Sequence, residues 1–438
     1  MNLSNYIPAL KFKSPEDKIT LGTVSGNPFR KEQLTQGQLN HHVHIVGASG
    51  FGKTVLLSHI VKDRIQKGHG MLFIDLKGDI DTIEKFKGYA TEVNRARDLM
   101  MFSLSDQASS TPYNLIGDGT PTQLRDKIML SLMWSEEFYK NQSASFLLKL
   151  LIGLCDLRDN SKFNLTLSTI LSCTMNPDFI SSLAQLIPEH QSKVKMAFED
   201  CYHFLNSSDN FKSLQGLRTQ IESLVLADFG DMISSPDSGI NLFEAVLKNK
   251  IVFMFLDSRR YGETAKTVGK FILQDLKMTS SRIDAEVKKD DRKNFSVIID
   301  EFADLAQEDF IGFLDRARSS KISIVVAHQE ICDLQRISPE FAGRLMGNTS
   351  TLYSFLQKRP ESVEIISSIA GTKKVWKETL QSQKMLFMDI PTGGKSLREV
   401  EEFNIHPNLI KSLSVGKCVC IKKYPTSRAY LVNVKNQS

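Results

Sequence analysis

Eight consecutive residues, Gly47-Ala48-Ser49-Gly50-Phe51-Gly52-Lys53-Thr54, match the phosphate-binding pattern G-x-x-x-x-G-K-[ST] in full. The glycines allow the backbone to curl so that its amides point toward phosphate oxygens. Lys53 is suited to contact the β- and γ-phosphates of a nucleotide, and Thr54 is suited to bind Mg²⁺. An apolar strand enters this loop and an amphipathic helix leaves it, so the segment predicts a site for ATP and Mg²⁺.

A second pattern, Phe295-Ser296-Val297-Ile298-Ile299-Asp300-Glu301, is an apolar strand that ends in two adjacent carboxylates. Downstream of a phosphate-binding loop, the first carboxylate at such a strand end holds the Mg²⁺ shell, so Asp300 is the predicted metal residue. Glu301 is placed to orient or deprotonate the attacking water. The pair favours nucleotide hydrolysis over nucleotide binding alone.

Two further candidates surround the next strand, Ile322–His328. Gln329 follows its last residue and is predicted to sense the γ-phosphate. Arg318 precedes the strand and is predicted to neutralise transition-state charge, a role that an arginine often performs in trans, with Arg316 and Arg344 as alternatives.

The surrounding pattern predicts an α/β protein. Among the 438 residues, apolar runs at 44–46, 71–75, 99–104, 250–258, 295–300, 322–328 and 349–356 alternate with helical periods, and two strand-like runs, KCVCIKKY and RAYLVNV, lie near the C-terminus. This alternation predicts a mostly parallel sheet covered by helices. Residues 118–245 show helical periods without a convincing strand, which predicts an inserted all-helical domain between domain segments 1–117 and 246–438.

Composition limits the possible classes. With 41% hydrophobic and 24% charged residues, the chain is not expected to be disordered, collagenous or a coiled coil. A net charge of +5 permits a nucleic-acid partner without requiring one. The sequence shows no signal-peptide pattern and no apolar run of about 18 residues, so we expect a cytoplasmic protein that can dock on a membrane partner.

Four segments, HVHIVGASGFGKT (42–54), FIDLKGD (73–79), IIDEFADL (298–305) and RARSSKISIVVAHQE (316–330), occur together in order. They resemble the coupling-protein ATPases of type IV secretion and conjugation, in the HerA/FtsK-like branch of P-loop ATPases. Further similar segments, such as INLFEAVLKNKIVFMFLDS (240–258) and MGNTSTLYSFL (346–356), extend the resemblance over most of residues 20–435.

The resemblance implies a RecA-like nucleotide-binding domain with an inserted all-alpha domain. It also implies a homo-hexameric ring, with ATP between subunits and DNA in the channel, that delivers relaxase-bound DNA or protein to a secretion channel. By this resemblance Lys53 and Thr54 match Walker A, Asp300 and Glu301 match Walker B, Gln329 matches the glutamine after the next strand, and Arg318 matches the arginine before it.

Coupling proteins usually begin with transmembrane helices, which this sequence does not show, so a separate membrane subunit or a removed anchor is expected. Two alternatives stay open: a HerA-like DNA motor in processing, packaging or defence, and a nucleotide-gated receptor for protein substrates. Lys77 and the charged segment 286–293 are candidate DNA contacts in the channel.

Overall fold

The computed structural model describes residues 17–235, 239–385 and 388–435. The chain forms two compact units. Of the described residues, the first unit comprises 17–63, 329–332, 345–385 and 388–435, and the second comprises 64–235, 239–328 and 333–344. The expectation about a signal peptide concerns mainly residues 1–16, which lie outside the described residues. In the part of the chain that is described, no helix combines the length and apolarity needed to cross a bilayer.

The strands are β1 (Lys18–Val24), β2 (Asn27–Thr35), β3 (Val43–Val46), β4 (Gly70–Asp75), β5 (Leu99–Ser103), β6 (Ile251–Phe255), β7 (Phe295–Ile299), β8 (Ile322–His328), β9 (Thr351–Ser354), β10 (Thr372–Met385), β11 (Met388–Phe403), β12 (Lys417–Lys422) and β13 (Arg428–Val434). The helices are α1 (Gln36–Asn40), α2 (Lys53–Gln66), α3 (Ile80–Glu92), α4 (Pro121–Ser131), α5 (Glu137–Ser161), α6 (Leu167–Met175), α7 (Pro177–Ala184), α8 (Ser192–Leu205), α9 (Ser208–Ser213), α10 (Gln215–Val225), α11 (Gly230–Ile233), α12 (Leu242–Leu247), α13 (Ser258–Glu286), α14 (Phe310–Ala317), α15 (Phe341–Asn348), α16 (Pro360–Ala370) and α17 (Pro407–Lys411).

The second unit contains a parallel sheet in the order β8-β7-β4-β6-β5. Every residue of β4, β6, β7 and β8 is buried. Parallel strands covered by helices on both faces need continuous apolar runs, which is why these strands stand out in the sequence. Their carboxyl ends meet at one edge, so Asp75 at the end of β4 and Asp300 directly after β7 come together there.

The first unit contains strands in the order β2-β1-β13-β12-β9-β3. Strands β3 and β9 are parallel, and the other neighbouring pairs are antiparallel. The four residues of β3 are buried, and the chain passes from Val46 directly into the predicted phosphate-binding loop. The parallel pairing, the covering helices and the helical segment confirm the predicted α/β class.

The first unit also carries a long hairpin, β10–β11, that the sequence analysis did not predict. Its register places Lys374 opposite Glu401 on one face and Lys373 opposite Glu402 on the other. Charged residues therefore occur on both faces, and the apolar alternation that identifies a half-buried strand is missing.

Helices α4 to α12 fill residues 121–247 of the second unit, and the described residues of that span contain no strand. The segment begins at a well-formed helix start. The Thr120 hydroxyl accepts the Gln123 N–H, and the Gln123 side chain accepts the Thr120 N–H. Pro121 occupies the first turn of α4, where the absence of its N–H costs nothing.

A buried ionic cluster ties α4 to α13. The Lys127 ammonium lies 2.9 Å from one carboxylate oxygen of Asp275, and the Tyr113 hydroxyl donates to the other at 2.5 Å. The side chains of Lys127 and Asp275 are 1% and 14% exposed. Burial raises the pKa of Tyr113 well above its usual value, and the adjacent Asp275 carboxylate adds to the rise, so that the hydroxyl remains a donor.

We expect Lys127→Met to lower the free energy of unfolding by about 3 kcal/mol, because it leaves the Asp275 carboxylate without its cation. Urea unfolding at neutral pH measures the loss. Lys149→Met is the matched control, since Lys149 pairs with Asp200 through side chains that are 46% and 39% exposed. That control should lose less than about 1 kcal/mol, and equal losses in both variants would contradict a structural role for the cluster.

Candidate active site

The predicted phosphate-binding loop spans the turn between β3 and α2. Gly50 and Gly52 have φ values of +81° and +118°, which residues other than glycine rarely adopt. Lys53, the first residue of α2, is 4% exposed. Its ammonium donates to the main-chain oxygens of Gly47 at 2.5 Å and Ala48 at 3.3 Å. The lysine therefore lies inside the curl of the loop, and Thr54 follows it, exposed, in the first turn of the helix.

Neighbouring chain segments hold this loop in place. The Gly47 N–H donates to the Gln329 main-chain oxygen at 3.0 Å, and the Ala48 N–H donates to that of Leu356 at 2.9 Å. A Cβ added at Gly47 would lie 2.4 Å from the Cβ of Phe355, so only glycine fits there. The sequence reasoning missed Phe355, because no local pattern connects it to a loop some 300 residues earlier.

The predicted acidic pair lies at the carboxyl end of β7 in the second unit. Asp300 is 3% exposed, and its N–H donates to the main-chain oxygen of Ile74 at 2.9 Å. Its Oδ1 accepts the N–H of Glu301 at 3.0 Å. Glu301 has a φ of +53°, a left-handed conformation that is uncommon for a residue with a side chain. Backbone conformations of this kind are often found at functional sites.

Lys77 lies beside both carboxylates. Its ammonium is 3.0 Å from Asp300 Oδ2 and 2.9 Å from Glu301 Oε1. Partial burial pulls its pKa down, but the two carboxylate charges outweigh burial and raise the pKa above its usual value. The sequence suggested Lys77 as a DNA contact, whereas in this structure its charge is engaged by Asp300 and Glu301.

Asp75 shapes the loop that carries Lys77. It is 2% exposed, and its two carboxylate oxygens accept the N–H groups of Lys77 at 3.0 Å and Gly78 at 3.2 Å. Burial raises the pKa of Asp75 to about 6, and the nearby Asp300 charge adds to the rise. The sequence reasoning did not single out Asp75, although its position at the end of an apolar strand resembles that of Asp300.

The remaining predicted residues are exposed. Gln329 follows β8 with an exposed side chain, and its main-chain oxygen contacts the phosphate-binding loop. Arg318, directly after α14, is exposed, and Arg316 donates to the Gly312 main-chain oxygen at 3.0 Å. Arg344 lies 3.2 Å from a carboxylate oxygen of Glu308. All three candidate arginines therefore lie at the protein surface.

The charged segment 286–293 is partly anchored. The Arg292 guanidinium donates to the Asp284 carboxylate at 2.6 Å and to the Ser319 main-chain oxygen at 2.8 Å. Residues 288–291 are exposed. The exposed basic residues of this segment are Lys288, Lys289 and Lys293, and these keep the exposure and the charge expected of a DNA contact.

Two protein-family models match separate parts of the chain. The model described as the TraM recognition site of TraD and TraG matches residues 294–411, which include the acidic pair. The model described as the C-terminal region of HerA-like helicases matches residues 23–130, which include the phosphate-binding loop.

A curated relative is the type 4 coupling protein DotL of Legionella pneumophila, 22% identical over 393 residues that cover 77% of this chain and 50% of DotL. An uncharacterised protein of Mycoplasma pneumoniae is 38% identical over 62 residues, covering 14% of this chain and 52% of that protein. The chain thus spans about half the length of the curated relatives it matches.

Among solved structures, the bacterial conjugative coupling protein TrwBdeltaN70 superposes with a TM-score of 0.68 at 15% identity, covering 96% of this chain and 89% of the solved TrwBdeltaN70 chain. TrwB has also been solved with ADP and Mg²⁺ and with a non-hydrolysable ATP analogue. VirB4 of Thermoanaerobacter pseudethanolicus superposes with a TM-score of 0.60 at 10% identity, covering 97% of this chain and 98% of VirB4. These likenesses support the RecA-like fold. Together with the two family models and DotL, they confirm the resemblance that the motifs indicated, to the type IV coupling protein-like P-loop ATPases.

Proposed function

We propose that this chain is an ATP-hydrolysing motor of the coupling-protein type. The observation that carries the proposal is the complete phosphate-binding loop, curled around the buried ammonium of Lys53 at the start of α2. TrwB, which shares the fold, binds ADP with Mg²⁺ and an ATP analogue, and this supports the same ligands here.

Each predicted residue has a role in this proposal. The main-chain amides of residues 47–54 bind the phosphates together with Lys53, and Glu301 activates the attacking water. Gln329 senses the γ-phosphate. Arg318 acts on the nucleotide of a neighbouring subunit, with Arg316 and Arg344 as alternatives.

Thr54 and Asp300 are the proposed Mg²⁺ residues. Their hydroxyl and carboxylate oxygens are the hard ligands that Mg²⁺ prefers. The acidic pair already holds one cation, the ammonium of Lys77, which is consistent with a site that favours positive charge. When bound, Mg²⁺ neutralises charge on the β- and γ-phosphate oxygens.

The proposed working form is a homo-hexamer that binds DNA without sequence preference and passes relaxase-bound DNA or protein to a type IV secretion channel. Residues 118–245 form its all-alpha domain, between nucleotide-binding segments 1–117 and 246–438. It works in the bacterial cytoplasm at the inner membrane, where a separate membrane subunit is its partner. The relatives named coupling proteins, DotL and TrwB, support this role.

A HerA-like motor in DNA processing, packaging or defence is a second candidate. The match of residues 23–130 to the HerA-like helicase model favours it, because that match includes the phosphate-binding loop and does not overlap residues 294–411, which match the TraD and TraG model. Both candidates require a DNA-dependent ATPase, and they differ in the partner that receives the DNA.

The first test is ATP turnover by the purified chain without DNA, with single-stranded DNA and with duplex DNA, each at two salt concentrations. We expect DNA to raise turnover several-fold, more strongly at low salt, because phosphate contacts weaken as counterions compete. Clear turnover that is indifferent to both kinds of DNA would favour a receptor for protein substrates. If no turnover occurred in any condition, even in a sample shown to have assembled into hexamers, the proposal that the chain is an ATP-hydrolysing motor would be wrong.

A further inference from the structure

Lys77 occupies a position that the proposed reaction does not explain. Its ammonium forms ion pairs with both members of the acidic pair, at 3.0 Å to Asp300 and 2.9 Å to Glu301. The side chains of these two carboxylates are only 4% and 14% exposed, so water screens them poorly. Two adjacent carboxylates with so little solvent need a nearby positive charge, and Lys77 supplies it.

The loop around Lys77 is built to hold the lysine there. The carboxylate of Asp75 fixes the backbone by accepting the N–H groups of Lys77 and Gly78. Gly78 has a φ of +67°, and a Cβ there would lie 2.8 Å from the Cβ of Asp257. From the other side, the Arg259 guanidinium donates to the Lys77 main-chain oxygen at 2.9 Å. Lys77 is therefore presented from a tightly packed turn.

The carboxylate oxygens that bind Lys77 are also those expected to serve the metal and the attacking water. Asp300 Oδ1 already accepts the Glu301 N–H, so Oδ2, the atom that contacts Lys77, is the one available for a metal shell. An ammonium 3.0 Å from this oxygen and a hydrated Mg²⁺ compete for the same lone pairs.

We propose that Lys77 is a positioning residue that holds Asp300 and Glu301 in the metal-free state and gives up these contacts when Mg²⁺ and nucleotide bind. This inference rests on the proposed function, since it assumes that the acidic pair serves a nucleotide-bound metal. While Lys77 is bound to it, the Oε1 oxygen of Glu301 carries an ion-paired ammonium, which makes the carboxylate a weaker acceptor for a proton from water. Hydrolysis is thereby restricted to the metal-loaded state.

The test is the Mg²⁺ dependence of nucleotide binding, followed by the fluorescence of N-methylanthraniloyl-ADP on the full chain. Lys77→Met keeps most of the side-chain stem and removes the charge. We expect it to lower the half-saturating Mg²⁺ concentration about tenfold, since the metal no longer displaces a charged hydrogen-bond donor. Lys77→Arg, which keeps the charge, should stay within about threefold of the wild type.

Lys266→Met is the matched control, because Lys266 also contacts two carboxylates, Glu263 at 2.9 Å and Asp304 at 3.6 Å, outside the acidic pair. It should leave the Mg²⁺ dependence unchanged. An unchanged or higher Mg²⁺ requirement in Lys77→Met, with nucleotide still bound, would overturn the role of Lys77. If the wild type bound the nucleotide with no response to Mg²⁺, the proposed function itself would fail.

Thermal unfolding without nucleotide gives a second readout. Without Mg²⁺, Lys77→Met should melt below the wild type, because its two carboxylates repel each other. Added Mg²⁺ should raise its melting temperature more than that of the wild type. Lys77→Gln, which retains a hydrogen-bond donor, replaces the Met variant if that variant does not fold. Equal responses to Mg²⁺ in the variant and the wild type would count against the proposal.

Discussion

Glu301→Gln should lower ATP turnover by about 10²–10⁴-fold while nucleotide affinity changes by less than about threefold. A positioned general base contributes a rate factor of this size, and the amide cannot accept the proton of the attacking water. The substitution keeps the size of the side chain, and both amide and carboxylate can remain near Lys77 in the left-handed turn at Glu301. Steady-state turnover and fluorescent-nucleotide titration measure the two quantities separately.

Glu244→Gln is the control for this variant. Glu244 lies on α12, where it pairs with Lys248 through exposed side chains at 2.7 Å. The ATP turnover of Glu244→Gln should equal that of the wild type. Turnover of Glu301→Gln within tenfold of the wild type would show that another group activates the water, and Glu301 would then have only a structural part.

Lys53→Ala should weaken ATP binding by about 100-fold and reduce hydrolysis below detection at cellular ATP concentrations. The lysine supplies a charge-assisted contact to the phosphates, and contacts of this kind contribute about 1.5–3 kcal/mol each. The Lys53 ammonium also donates to the main-chain oxygens of Gly47 and Ala48, so the substitution removes two hydrogen bonds that hold the loop in its curled conformation. Calorimetric titration with a non-hydrolysable ATP analogue measures the affinity.

Lys67→Ala provides the comparison, since Lys67 is an exposed lysine just beyond α2. It should bind the analogue as the wild type does. An affinity of Lys53→Ala within about fivefold of the wild type would mean that the loop does not hold phosphates. Residues 47–54 would then form only a structural turn, despite their full match to the phosphate-binding pattern.

The chemistry-bearing motifs were predictable because each is local. A run of eight residues specifies the phosphate-binding loop, and the buried parallel strands β4, β6, β7 and β8 are continuous apolar runs that the sequence displays directly. The helical segment could also be predicted, because local residues mark where its helices begin. One example is the capping box of Thr120 and Gln123 at the start of α4. The hairpin β10–β11 was missed because charges occur on both of its faces.

The sequence by itself determined the α/β class and the residue types at the candidate site, because strand burial, helix starts and the glycine-rich loop depend on neighbours along the chain. The RecA-like form of that fold was implied by the resemblance to coupling-protein ATPases. Only the tertiary structure decided which distant residues support or restrain that site. Phe355 approaches Gly47 because parallel pairing of β3 with β9 places their ends side by side. Lys77 reaches Asp300 and Glu301 because β4 pairs with β7, a contact across 223 residues that no local pattern encodes.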